Sequence, residues 1–217
     1  RLIGGLIMVH GDDSGLVLPP NIAPYQVVIV PIPRGNWQET VLPKAQAIRD
    51  QLVAAGVRVM LDDRDAYTPG WKFAEWEMRG VPVRLEIGPK DIEKGQVVLA
   101  RRDTREKSFV PMDDLASHVP SLLATIQSAL FEKAKQVREE RTHYTENYEE
   151  FKTLMAGARP GFVFAPWSDD PAVEAQIKTE TQATIRNYPF AAPSFEGKAC
   201  FVTGRPAVVM ACFAKAY

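Results

Sequence analysis

Cysteine is scarce: Cys200 and Cys212 are the only two in 217 residues. Two cysteines cannot staple a chain of this length, so a reducing compartment and a core held by burial are expected. No sign of charge dominates, with 26 Lys plus Arg against 27 Asp plus Glu. A bulk basic field is therefore excluded, and any nucleic-acid binding must come from a local arrangement. Long apolar runs are missing as well. The longest, near Val27–Ile32 and Val208–Phe213, are far too short to span a bilayer, so no membrane role is expected. No charged start followed by an apolar stretch and a small-residue cleavage site occurs, so no signal peptide is expected. The chain also has no H-E-x-x-H, no G-x-S-x-G and no Gly-rich phosphate loop, and no repeats.

What is present reads as a soluble α/β protein. Arg1 leads directly into apolar Leu2–Val9, and a core element at the very start suggests that sequence upstream is absent. Pro-rich Leu18–Pro24 reads as an extended linker. Gln26–Ile32 is a β-branched strand of the doubly buried kind. Leu42–Ala55 has helical spacing and stops at Gly56, and Val57–Leu61 is a second strand, completing a βαβ unit. Further along come a short helix near Trp71–Arg79 and strands at Pro82–Ile87, Gly95–Ala100 and Glu106–Val110, the last two joined by a charged turn. Asp113–Arg141 is a long amphipathic helix. The remainder, with a helix near Pro171–Thr181, has the texture of a small α+β domain. The expected organisation is 1–23 as an end piece and linker, 24–135 as an α/β domain with a mixed, mostly parallel sheet flanked by helices, and 136–217 as the α+β domain.

The stretch Tyr67–Asp91 is dense in aromatics, charges and backbone punctuation. On a helix Phe73 and Glu77 share a face, and on a strand Arg84 and Glu86 do. Gly88-Pro89 ends that strand and holds Lys90 and Asp91 at its tip. Ring, carboxylate and guanidinium are the tools for reading unstacked bases. Read by pattern alone, the same residues serve as core aromatics and a solvated ion pair. The run Asp62-Asp63 with Asp65 reads as a solvated turn rather than a metal site.

The string PGWKFAEWEMRGVPVRLEIGPKD (69–91) resembles the anticodon-binding domain of prolyl-tRNA synthetases of the eukaryote/archaeal-like type. RLIGGLIMVHGDDSGLVLPPNIAP (1–24) resembles the end of that family's third class II motif and its linker. GKACFVTGRPAVVMACFAKAY (197–217) resembles the family's C-terminal domain. The resemblance covers the whole chain. It implies that Phe73, Glu77, Arg84, Lys90 and Asp91 meet the two guanines of the tRNA(Pro) anticodon. Arg and Lys suit the N7 and O6 acceptors, Glu and Asp the N–H donors, and Phe a stacked ring.

Other expectations follow from the same resemblance. Arg1 corresponds to an arginine that contacts ATP phosphate, with ATP, magnesium and proline used by an intact homodimeric cytoplasmic ligase; the fragment alone is not expected to be catalytic. Tyr217 corresponds to a C-terminal residue that docks. Many relatives hold a structural zinc with four cysteines, whose positions here are Ser168, Val173, Cys200 and Thr203. Three are not cysteine, so no zinc is expected. The alternatives are a free-standing tRNA-binding accessory protein and a small-molecule-binding α/β domain.

Overall fold

The computed structural model describes residues 1–215. The chain divides into two compact units, residues 1–133 and the portion beginning at Ala134. It starts with helix α1 (Leu2–Val9), which is apolar yet has no buried residue. A hairpin follows, β1 (Gly11–Asp12) paired antiparallel with β2 (Gly15–Leu16). The Pro-rich stretch expected as a linker is packed rather than free. Leu18, Pro19, Pro20 and Ala23 are buried, and the Arg58 guanidinium donates to the carbonyls of Pro20 and Ala23 at 2.7 and 3.1 Å.

The β-branched run forms β3 (Val27–Pro31), with all five residues buried. It is followed by α2 (Trp37–Thr40), α3 (Leu42–Ala54) and β4 (Val59–Leu61). Next come α4 (Pro69–Met78), β5 (Val83–Ile87), α5 (Pro89–Glu93), β6 (Gln96–Arg101), β7 (Lys107–Pro111) and α6 (Leu115–Glu140). The five strands form one sheet in the order β4-β3-β5-β6-β7. The sheet is mixed, as expected. Its pairings divide evenly rather than mostly parallel: β3 runs parallel to β4 and β5, whereas β5–β6 and β6–β7 are antiparallel. Helical crossovers serve the first three strands, while the last three are joined by short connections that reverse direction.

Side-chain alternation then separates the two faces of this sheet. Val27, Ile29, Val83, Leu85, Ile87, Val97 and Leu99 pack against Ala45, Ile48 and Leu52 of α3 and Leu115, Val119, Leu123 and Ile126 of α6. Val28 and Val30 face the other way, toward Trp76 and Val81 with Phe73 beside them. Register sets Arg84 beside Val28 and Glu86 beside Val30, so both polar residues join this second, thinner face.

The second unit is β8 (Thr142–Tyr144), α7 (Tyr148–Ala156), β9 (Phe162–Trp167), α8 (Pro171–Thr181), β10 (Ala183–Asn187) and β11 (Val209–Lys215), with sheet order β10-β11-β9-β8. Asn147 caps α7 by accepting from the Glu149 and Glu150 amides, and Asp170 caps α8 by accepting from the Ala172 amide at 3.0 Å. The rings of Phe151, Phe201, Phe213 and Trp167 meet in the core, with centroids 5.1 to 6.2 Å apart. Such pairs favour tilted and edge-on contacts and add to the burial energy.

Candidate functional site

The site begins with how α4 is set. Thr68 accepts from the Trp71 amide at 3.3 Å and Pro69 opens the helix, two residues before its expected start. Asp62, at the end of β4, holds the helix from below. The expectation of a solvated turn is corrected at Asp62, which is 3% exposed, whereas Asp63 and Asp65 are exposed as expected. Its carboxylate accepts from Arg64 at 2.8 and 2.7 Å and from the Trp76 indole at 2.7 Å, and the Lys72 ammonium donates to its carbonyl at 3.0 Å. Burial would push this carboxyl up, but the Arg64 and Trp76 hydrogen bonds and the nearby cations outweigh it and hold the pKa at about 2. Sequence proximity hid this, because Lys72 and Trp76 come from the helix and not from the Asp run.

With α4 fixed, Phe73 and Glu77 point along the thin face of the sheet. The helix stops at Gly80, whose φ of +75° suits glycine and whose Cβ, if added, would run into Leu16. The Arg84 guanidinium lies 4.1 Å from the Phe73 ring centre and donates to Glu86 Oε1 at 3.0 and 2.9 Å. Lys107, arriving on β7, donates to Glu86 Oε2 at 3.1 Å. Arg84 and Glu86 side chains are 16% and 12% exposed, so this is a half-buried pair and not a solvated one.

Glu77 and Arg84 line an open cleft of about 480 Å³ counted out to solvent, together with Arg101, Arg102, Arg105 and Lys107. Most of these cations are engaged. Arg101 pairs with Asp103, and Arg102 pairs with Asp12 at 2.9 and 2.6 Å while donating to the Glu77 carbonyl. The Arg102 guanidinium holds the Asp12 carboxyl well below the usual carboxylate range. By contrast, the Glu77 carboxylate has no hydrogen-bond or ion-pair partner among the described residues. The cleft thus offers a free acceptor beside a fixed guanidinium.

Glu77 and Arg84 line this cleft and Phe73 contacts Arg84 beside it; Lys90, Asp91 and Arg1 do not line it. Lys90 and Asp91 do not sit at a bare strand tip but open α5, where Asp91 accepts from the Gly88 amide at 2.9 Å. Arg1 is exposed at the head of α1, and Tyr217 lies outside the described residues. Arg101, Arg102, Arg105 and Lys107 were missed, because the run RRDTREK reads as a charged turn until β6 and β7 fold it back over α4.

In the second unit Ser168 and Thr203 face Cys200, and Val173 packs against the same core. Burial pushes the Cys200 thiol up, but the Ser168 and Thr203 hydroxyls and the Thr203 and Val202 amides outweigh it and lower its pKa. The buried Ser168 Oγ has no stronger hydrogen-bond partner than this thiol. One sulfur, two hydroxyls and a valine do not fit zinc, which takes four N, S or carboxylate ligands. Among the described residues no group of three or more His, Cys, Asp or Glu is placed to hold a metal ion. Nor is any helix there long and apolar enough to cross a membrane.

Residues 26–122 match the family model described as "Anticodon binding domain", and residues 148–217 match "Prolyl-tRNA synthetase, C-terminal". The chain is 52% identical over 217 residues to a proline–tRNA ligase of Alkaliphilus oremlandii. It is 51% identical over 219 residues to proline–tRNA ligase 2 of Clostridioides difficile. A proline–tRNA ligase of Amoebophilus asiaticus is 45% identical over 218 residues. Each match takes in 100% of this chain and 44% of the relative, so the chain spans under half the length of the curated relatives it matches.

Proposed function

The chain belongs to the prolyl-tRNA synthetase family, and from that premise we propose that its first unit selects tRNA(Pro) by the anticodon for a proline–tRNA ligase. The observation that carries this reading is the unpartnered Glu77 carboxylate beside the Arg84 guanidinium in a cation-lined cleft. A guanine edge needs a donor for N7 or O6 and an acceptor for N1–H and N2–H₂, and the cleft holds both. Arg84 and Lys107 stand over the Phe73 ring at 4.1 and 5.8 Å, and these cations keep the ring oriented for contact with a base. Lys90 and Asp91 act at the neighbouring helix start, the lysine as a phosphate or base donor and the aspartate by fixing the turn.

In this reading the intact ligase uses ATP, magnesium and proline, works as a cytoplasmic homodimer, and adds proline to the tRNA 3′ end. Residues 1–23 belong to its catalytic domain, with Arg1 at the ATP phosphates; residues 24–135 form the anticodon domain and 136–217 the C-terminal domain, with Tyr217 docking and without zinc. A free-standing accessory protein is disfavoured by the tandem of anticodon-binding and synthetase C-terminal domains.

The test uses the chain with an anticodon stem–loop of tRNA(Pro) and a counterpart whose anticodon guanines are replaced. Glu77→Ala and Arg84→Ala should each weaken the guanine-containing loop by about 1–3 kcal/mol and narrow the preference between the two loops. Equal weakening of both loops would mean that these residues hold backbone and do not read guanine.

A further inference from the structure

We infer that the second unit carries a nucleotide-phosphate site at one end of its sheet, formed by Arg141, Arg159, Arg186 and Lys215 around the ring of Phe162. All five residues line one open concavity of about 990 Å³ counted out to solvent. Each strand of the sheet delivers one part. Arg141 immediately precedes β8, Phe162 opens β9, Lys215 ends β11 and Arg186 lies on β10. The register Thr142↔Phe162 and Ala183↔Lys215 sets those strand ends at the same edge.

From Ala134 onward the chain has as many acidic as basic residues. Four of its cations nevertheless meet in a concavity whose lining contains no Asp or Glu among the described residues. Among the described residues the side chains of Arg141, Arg159 and Lys215 make no ion pair, and Arg186 donates to the Ala214 carbonyl, at 2.9 Å. Gathering like charges without carboxylates does not stabilise a fold; an anion would relieve it.

The backbone holds this arrangement in place. The Phe162 amide donates to the Arg141 carbonyl at 2.8 Å. Gly161, at φ +69°, lies so close to that carbonyl that any Cβ would collide with it. Arg186 is the extra residue where β10 slips register, since Ile185 faces Phe213 and Asn187 faces Cys212. Such bulges are a means of aiming a side chain. Guanidinium groups match phosphate oxygens two at a time. The Phe162 ring, 44% exposed, supplies a stacking surface for a base. A ring beside clustered cations selects a nucleotide over a bare anion.

The inference shares no residue with the Glu77–Arg84 cleft and stands apart from the anticodon reading. A single RNA strand and a free mononucleotide present the same chemistry, and the experiment separates them. Fluorescence anisotropy of a labelled short oligoadenylate, which has no guanine, is measured across a salt series with the full chain. Arg141→Gln with Arg186→Gln should weaken binding about tenfold or more and reduce the slope of log K against log salt by about 1.4, since each cation lost from a single strand counts about 0.7. Phe162→Leu should weaken it about tenfold through lost stacking. Lys44→Gln, at an exposed lysine of α3 that lines neither site, should leave it unchanged. Competition by ATP at comparable concentration would assign the site to a free nucleotide; resistance to ATP would assign it to a strand. Circular dichroism and the thermal midpoint verify that each variant is folded. Undiminished binding in the folded double variant overturns the inference, as does displacement by inorganic phosphate or polyglutamate as effective as by nucleotide. Equal loss on Lys44→Gln would overturn it too, while leaving the anticodon reading intact.

Discussion

Asp62 shows how much of this site depends on one buried carboxylate. It joins β4 to α4 through Arg64, Lys72 and Trp76, and so sets the helix that carries Phe73 and Glu77. Its folded pKa of about 2 lies below the ordinary carboxylate value. A depressed pKa contributes stability that is fully present above about pH 4 and is lost as pH falls through about 2. Asp62→Asn should therefore cost about 2 kcal/mol at neutral pH, with the difference from wild type shrinking toward pH 2. Urea midpoints measured at both ends of that range decide it; a pH-independent difference would show that the carboxylate's charge is not what matters.

At the scale of elements, the loop before α8 and the turn after Cys200 bring one thiol, two hydroxyls and a valine to the positions of a four-ligand site. Aromatic rings fill the core beside them, and Cys200 meets hydroxyls and amides where a metal site would need further thiolates. If the backbone has kept the spacing of a four-ligand site, replacing the three other side chains should restore it. Ser168→Cys, Val173→Cys and Thr203→Cys combined should bind one zinc per chain by elemental analysis, while wild type binds none. A metal-free triple variant would mean that aromatic packing has moved these positions apart.

For the whole molecule, two separate cores imply two centres of stability. Leu85 belongs to the first and Phe213 to the second, and both are fully buried. Leu85→Ala should cost about 2–5 kcal/mol in the first unit. Hydrogen exchange should then quicken in β3, β5 and β6 while β9 and β11 keep their protection. Loss of protection in both sheets together would show that the chain unfolds as one cooperative block.

The sequence by itself determined the element types and the family. β-Branched runs at 27–31 and helical spacing at 42–54 are local signals, because burial on both faces or on one stripe dictates residue type along the chain. The 69–91 string was likewise legible, since Phe73 to Glu77 and Arg84 to Glu86 are set by helix and strand period alone. Tertiary structure decided the rest. The even split of parallel and antiparallel pairs depends on how β6 and β7 return, which no local period records. Asp62 became buried because α4 lies over it, and Arg102 came to the site because Asp12 of a two-residue strand receives it. Arg141 and Arg186, 45 residues apart in the chain, line one concavity only through strand register and a bulge. Charge clusters of that kind are products of pairing across the sheet, and a linear reading sees only isolated arginines.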